Sequence, residues 1–505
     1  MGNHGRVTGA IPLQWTSGAK VCDGMRRVMF PSHRWKRQVQ RESIAKGGTM
    51  ASLTMHWSMG YLLAASIATC VPECFSRAHA QGDRSQAPSV AIGQSIETWI
   101  EKTVSQHVDL YQWLHTHPEV SLQEKETAAK LAEIWRAAGL EVTQGVGGHG
   151  IVGILKNGSG PVVMLRTDLD ALPVEERTGL PYASTAKVEL PDGSLSGVMH
   201  ACGHDLHMTC VTAAGRFLAD HRDAWSGTLM LIGQPAEERG LGAKAMLDDG
   251  LFQRFPKPDF ALALHVESAT PSGKVSLRSG YMLANVDSVD IIVRGKGGHG
   301  AAPDTTVDPI VQAAELVLSL QGIVAREVKP TEPAVVTVGA IHGGTKHNII
   351  GETCQLQLTV RSYSQEVRDK VLGAIRRRAE GIAKAWGAPP PDISLSEGTP
   401  ALKNDEGLTE RMRVMLTAML GSDRVVQAEQ VMGGEDFSQY GLAGVPISMI
   451  RLGVIAPERL ARYTKLGTTP PSLHSPEFYP DLDESLATGV LTLSIGALEL
   501  MPPTR

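Results

Sequence analysis

Val162-Val163-Met164-Leu165-Arg166-Thr167-Asp168-Leu169-Asp170 is the stretch on which the architecture turns. Four apolar residues run without a break into a cluster of charges. A run this short and this apolar is what a strand buried on both faces of a mostly parallel sheet requires. Residues 151–155, 228–232 and 260–264 are apolar runs of similar length. Helical stretches lie between several of them. Residues 126–138 place Ala128, Leu131, Ile134, Trp135 and Ala138 on one face, with Gly139 as a stop, and 207–218 is a second apolar helix. A polar helix over 95–121 precedes them. This alternation predicts a doubly wound α/β domain.

In such a sheet, ligands bind beyond the carboxyl ends of the strands. The run 162–165 leads directly to Asp168 and Asp170, 228–232 to Gly233-Gln234-Pro235-Ala236-Glu237-Glu238, and 260–264 to His265. A fourth cluster, His200-Ala201-Cys202-Gly203-His204-Asp205-Leu206-His207, precedes an apolar helix. Cys202 and His204 would diverge on a helix but converge in the loop before it. Thiolate, imidazole and carboxylate together suit Zn²⁺, with Mn²⁺, Co²⁺ or Ni²⁺ also compatible. A surface histidine cluster and a solvated acidic turn are the plainer alternatives, and the company of each argues against them. Adjacent Glu237 and Glu238 suit two tasks. One binds a cation while the other takes a proton from a water whose pKa the cation has lowered to roughly 7.

After Gly280 the texture changes. Residues 286–294 alternate, 309–327 form an amphipathic helix, 334–340 and 354–361 read as strands, and 365–386 as a helix. This βαββαβ-like order predicts a small α+β domain inserted at about 284–395. Ala388-Pro389-Pro390-Pro391 marks its return path. Residues 95–283 and 396–505 then form the two parts of the larger domain, which ends in a helix with Leu486, Val490, Leu493 and Ala497 on one face. Within the insert, Gly295-Lys296-Gly297-Gly298-His299-Gly300-Ala301-Ala302-Pro303 lets backbone approach a ligand, and His299 is placed to donate to a developing oxyanion. A glycine-rich turn with an exposed histidine explains the same residues equally well.

Residues 1–80 read as a leader. The apolar stretch 59–71, MGYLLAASIATCV, is followed by Ala78-His79-Ala80, the pattern of a cleaved signal peptide and too short for a membrane span. Export to the periplasm or beyond is expected. The leader is basic, so the remainder is more acidic than the formal −5 of the whole chain, and no basic run points to nucleic acid. Beyond the leader only Cys202, Cys210 and Cys354 remain, too few and too sparse for a disulfide framework.

With these residues assembled, the chain resembles the M20 family of metallopeptidases and amidohydrolases over roughly residues 100–500. The branch is that of hippurate hydrolases, N-acyl-amino-acid amidohydrolases and auxin-conjugate hydrolases. The motifs are HTHPEVS (115–121), RTDLDALPVEE (166–176), MHACGHDLHM (199–208), QPAEE (234–238), HV (265–266), GKGGHGAAP (295–303), HNII (347–350), GGEDFS (433–438) and LHSPEF (473–478). The resemblance implies two divalent metal ions held by Cys202, His204, Glu238, His265 and His474, with Glu237 as general base and acid. It implies Asp170 as the acid that orients a ligand imidazole, and His299 as a transition-state donor, in some relatives supplied by the dimer partner's insert. Asn348 falls near the substrate carboxylate. Gly351 stands where the family usually has proline, which loosens that loop.

The activity implied is hydrolysis of the amide bond of an N-acyl amino acid or similar small amide, by a homodimer or higher oligomer whose insert acts as a lid. A dipeptidase or carboxypeptidase of the same family is the nearest alternative. A metal-free cysteine hydrolase, with His200 or His204 as base to Cys202, is another. A non-catalytic ligand-binding relative is a third, but a pure binding site has no use for Glu237 beside a ligand.

Overall fold

The computed structural model describes residues 86–504. The expected leader, with its apolar stretch 59–71, lies outside the described residues. Among the described residues no helix is long and apolar enough to cross a membrane.

Helix α1 (Gln86–Thr116) opens the described chain and α2 (Lys125–Ala137) follows it. α1 ends short of the expected Ser121, because Pro118 offers no N–H and disfavours helical backbone at His117. Next come β1 (Glu141–Val146), β2 (Gly150–Asn157), β3 (Val162–Asp168), α3 (His204–Asp220), β4 (Gly227–Gln234), β5 (Phe260–Pro271) and β6 (Val275–Leu277). A second group comprises β7 (Asn285–Arg294), α4 (Pro309–Arg326), β8 (Ala334–Gly343), β9 (Thr353–Ser362), α5 (Gln365–Ala385) and β10 (Asp392–Thr399). The chain returns through α6 (Glu406–Leu420), β11 (Val425–Gln427), β12 (Ile447–Ile455) and α7 (Leu482–Leu500).

The large sheet has eight strands in the order β1-β2-β4-β3-β5-β12-β6-β11. Its centre, β4-β3-β5-β12, is parallel, and antiparallel pairs flank it. Successive side chains on the central strands point to opposite faces. Val163, Leu165, Leu229, Leu231, Leu262 and Leu264 enter one core with α1, α2, α3, α6 and α7. Met164, Met230, Ile232, Ala261 and Ala263 enter another with Met246, Phe437 and Tyr440. Burial on both faces is why these strands carry unbroken apolar runs. Truncating one such leucine to alanine costs about 2–5 kcal/mol. α7 differs from its expected one-sided pattern: from Ser485 to Leu498 every residue but Ala487 is buried. Small residues permit this. A Cβ at Gly489 would sit 2.5 Å from the Cys210 sulfur.

The second group forms a four-stranded antiparallel sheet in the order β8-β9-β7-β10. α4 and α5 cover one face through Leu316, Leu320, Ile323, Val371 and Ile375. Both helices start at side-chain caps: Asp308 accepts from Ile310 and Val311, and Ser364 from Val367. β10 continues to Thr399, past the boundary expected at 395, because residues 392–399 pair with β7. Asn285 joins the two crossings. Its Oδ1 accepts the Ala401 N–H at 2.9 Å and its amide donates to the Ser362 and Tyr363 carbonyls.

His115 anchors the end of α1. Its Nδ1 is 2.7 Å from Asp205 and its Nε2 3.2 Å from Glu176, all buried. Burial opposes charge on the ring, but the two carboxylates outweigh it and raise its pKa to about 9. A pKa raised on folding stabilises fully below the unfolded value, here about 6.5, and the contribution is lost as pH rises through about 9. The stability gap between wild type and His115→Asn, from denaturant unfolding at each pH, is therefore expected to shrink by on the order of 3 kcal/mol between pH 6 and pH 10. A gap that stays level across this range contradicts the pairing.

Candidate metal centre and active site

Two strand ends, the middle of a third strand, which runs on past the end expected at Leu264, and two loops bring the site together. β3 ends at Asp168, with Asp170 two residues on. β4 ends at Gln234 and turns through Ala236, whose backbone is left-handed at φ 49°, into Glu237 and Glu238. His265 lies on β5. Cys202 sits in the loop before α3, and His204 is the first residue of that helix. His474 arrives on a distant loop in left-handed backbone, its N–H bonded to the Ala201 carbonyl at 2.9 Å. A left-handed non-glycine residue costs on the order of 1–3 kcal/mol and persists only where its surroundings impose it.

All five expected metal ligands converge. The Cys202 sulfur is 3.7 Å from His265 Nε2, and Glu238 Oε2 is 3.5 Å from His474 Nε2. His204 Nε2 is 3.8 Å from Glu238 and 3.9 Å from Glu237. Cys202, His204 and His265 form one cluster whose donor atoms lie within 4.8 Å of one another, and Cys202, Glu238 and His474 form a second. The shared member is the thiol.

Hydrogen bonding fixes which nitrogens are available. His204 Nδ1 donates to the Asp170 carbonyl at 2.8 Å, and His265 Nδ1 to the Val266 carbonyl at 2.9 Å. Each leaves Nε2 for a cation, as ligand imidazoles require. His204 Nε2 and Glu238 Oε1 are buried with no protein partner, which is costly unless an ion takes them up. Two divalent cations therefore fit these residues. His207 differs: its Nε2 accepts the Val266 N–H and its Nδ1 donates to Asp168, so both nitrogens are used.

Burial, reinforced by Glu435 and Glu238, pushes Glu237 well above the usual carboxylate range. Burial also raises Glu238 to about 7 and, with Glu238 beside it, lifts the Cys202 thiol. Burial lowers His265, with His207 adding to the effect. For His204 burial acts downward, but Asp168 and Asp170 outweigh it and raise the ring well above its ordinary value. Surplus carboxylates and a proton-loaded thiol are what a cation-binding site shows before cations displace the protons.

Asp170 stands behind the ligands and does not face the reacting atoms. Its carbonyl orients His204, while its carboxylate accepts from Ser121 Oγ at 2.6 Å and from the Glu238 N–H at 3.0 Å. The Asp170 carboxylate also stands beside the imidazole, its Oδ1 3.5 Å from His204 Nδ1. His299 and Asn348 come together but do not reach the centre. They lie on an exposed ribbon where Gly298 and His299 pair with Ile350 and Ile349, and neither lines the cavity. Spacing along the chain carries no information on how far the insert's loops stand from the large sheet.

One group of residues escaped the sequence reading. Arg166, fully buried, donates to Asp168, Gln234, Glu435 and Asp436 at 2.9–3.0 Å. The signal was present: an arginine inside an apolar strand must find carboxylates, and GGEDFS supplies two.

The cavity beside the centre holds about 680 Å³. Cys202, Glu237, Glu238, His265 and His474 open onto it, as do Leu283, Val286, Val431, Met449, Arg361 and Arg451. Two overlapping donor clusters that have Cys202 in common, with the buried carboxylate of Glu237 lining the same cavity, are residues that would hold divalent cations and serve amide hydrolysis on an α/β scaffold. Residues 164–464 match the sequence profile of Peptidase family M20/M25/M40, and the chain belongs to that family. It is 36% identical over 409 residues to thermostable carboxypeptidase 1 of Saccharolobus solfataricus, covering 80% of this chain and 94% of that one. It is 35% identical over 349 residues to an N-acetyl-L-cysteine deacetylase of Bacillus subtilis, covering 69% and 80%. A Bacillus subtilis structure described as a dinuclear metal-binding peptidase of the M20 family superposes with TM-score 0.64 at 28% identity, covering 81% of this chain and all of that one. The protein is a metal-dependent amide hydrolase.

Because Cys202 belongs to both clusters and His474 to one, their loss has different consequences. Elemental analysis is expected to find about two metal ions per wild-type subunit, about one in His474→Ala and well below one in Cys202→Ala. Equal retention in both variants refutes the shared thiolate.

Proposed function

We propose that this enzyme cleaves the amide bond of N-acyl amino acids. The observation that carries the reading is Glu237: buried, 3.9 Å from the ligand nitrogen of His204, and lining the same cavity as all the ligands except buried His204. When bound, the cations polarise the amide carbonyl and lower the pKa of the attacking water. Glu237 takes the proton of that water and returns it to the departing amine. Its neighbours Glu435 and Glu238 raise its affinity for a proton, which favours the uptake step, and the adjacent divalent charges favour its ionised form beforehand.

The cavity supplies two kinds of recognition. Leu283, Val286, Val431 and Met449 offer an apolar wall for the acyl group. Arg361, held by the Met432 carbonyl and Thr359 Oγ1, has no carboxylate partner among the described residues and suits the free carboxylate of the substrate. Arg451 is already paired with Glu267 at 3.0 Å. A carboxypeptidase also needs a carboxylate anchor, and the Saccharolobus solfataricus relative bears that name. A panel of acetyl, benzoyl and long-chain acyl amino acids beside dipeptides separates the two. Glu237→Gln is expected to retain both metals and lose at least about 10³-fold in kcat, while Arg361→Ala raises KM by at least about tenfold. Normal turnover in the first variant ends the general-base reading.

A homodimer is part of the same proposal, and the surface of the insert supports it. β8 is an open edge of the small sheet, and Leu318, Ile341 and Ile349 are exposed apolar residues on the same group of elements. His299 and Asn348 lie off their own cavity, so the reading has a second copy deliver them. Glu237→Ala and His299→Ala, each nearly inactive, are expected to regain about a quarter of wild-type activity when unfolded and refolded together, since one of the two sites in each mixed dimer is intact. No recovery in a mixture shown to contain mixed dimers refutes the shared site.

A further inference from the structure

His117-Pro118-Glu119-Val120-Ser121-Leu122-Gln123-Glu124, the loop between α1 and α2, has no part in the chemistry above, yet it touches both turns that carry it. The Ala171 N–H donates to the Glu119 carbonyl at 2.7 Å. Ser121 Oγ donates to the same Asp170 oxygen that accepts the Glu238 N–H. Glu124 is fully buried, and its Oε1 accepts the N–H of Leu122 at 2.9 Å and of Ala236 at 2.7 Å.

Leu122 and Ala236 are two of the three non-glycine residues with left-handed backbone among the described residues, and the third is the ligand His474. An alanine does not hold that conformation unaided. The Ala236 carbonyl is taken up by Leu241 and Gly242, and Glu124 holds its N–H. Glu237 thus lies between two amides pinned from outside the turn, Ala236 by Glu124 and Glu238 by Asp170.

We propose that Glu124 is a positioning residue for Glu237: its buried carboxyl oxygen holds the left-handed Ala236 turn that aims the base at the cation centre. The proposal rests on Glu237 being the base. Glu124 does not line the cavity and touches no reacting atom. Without it, the buried Ala236 N–H loses its acceptor and the turn relaxes toward ordinary backbone. A displacement near 1 Å at a catalytic group costs about 10²-fold in rate. Glutamine keeps an acceptor oxygen at the same reach and so restores most of the function, short of what burying an NH₂ group in place of the unpartnered Oε2 costs.

The test compares wild type, Glu124→Ala and Glu124→Gln as metal-loaded full chains on an N-acyl amino acid. Glu124→Ala is expected to lose about 10²-fold in kcat with KM changed less than about threefold and both metals kept, and Glu124→Gln to stay within about tenfold of wild type. A readout independent of turnover is amide hydrogen exchange over 234–242 in the metal-free protein. It is expected to quicken about tenfold in Glu124→Ala and little in Glu124→Gln, with β3 and β5 unchanged. Unaltered exchange over 234–242, faster exchange spread evenly over the sheet, or glutamine as damaging as alanine overturns the proposal. If wild type hydrolyses no amide, the reading of Glu237 fails, and the exchange measurement still decides whether Glu124 holds the turn.

Discussion

One buried guanidinium sets the register of everything around the site. Arg166 sits inside the central parallel strands and gathers Asp168 from its own strand, Gln234 from the end of β4, and Glu435 and Asp436 from a segment far along the chain. A charge in that position is tolerated only when its partners surround it, and removing one partner from such a set costs about 3–5 kcal/mol. The network locks the ends of β3 and β4 to the segment before β12. Those ends are where the ligands and the base begin.

The same packing creates an electrostatic surplus. Asp168, Asp170, Glu237, Glu435 and Asp436 are buried together, with Glu238 nearly so. Arg166 and the histidines offset only part of that charge. Burial pushes Glu238 and Asp436 up to about 7, lifts Glu237 well above the usual carboxylate range, and raises the Cys202 thiol. Divalent cations relieve the surplus, so binding them and releasing protons are one event. The second sheet completes the cavity by contributing Val286, Ser288 and Arg361 to its wall, opposite Cys202, Glu237 and His265 from the first. Asn285 is bonded across both chain crossings between the two.

Much of the site was legible before any fold. Unbroken apolar runs ending in Asp, Glu or His read as interior strands with chemistry at their carboxyl ends, which singled out Glu237, Glu238 and His265, while Cys202 and His204 were recognisable from their place in the loop before an apolar helix. His474 was not, because nothing in a loop near the carboxyl terminus shows which sheet edge it will meet; only likeness to a family pointed to it. The last strand of the small sheet is a related case. A run of prolines looks like a linker, whereas the pairing of 392–399 with β7 is a property of the sheet.

Local sequence determined the alternation of strands and helices, the residue types able to bind cations, and the family, because all three depend on neighbours within a few positions. Tertiary structure alone decided the rest. It chose the tautomers of His204 and His265 through backbone carbonyls, withheld His207 by satisfying both its nitrogens, and left His299 and Asn348 away from their own centre. Hydrogen bonds and charges between residues hundreds of positions apart exist only once the chain is packed, and no local pattern records them.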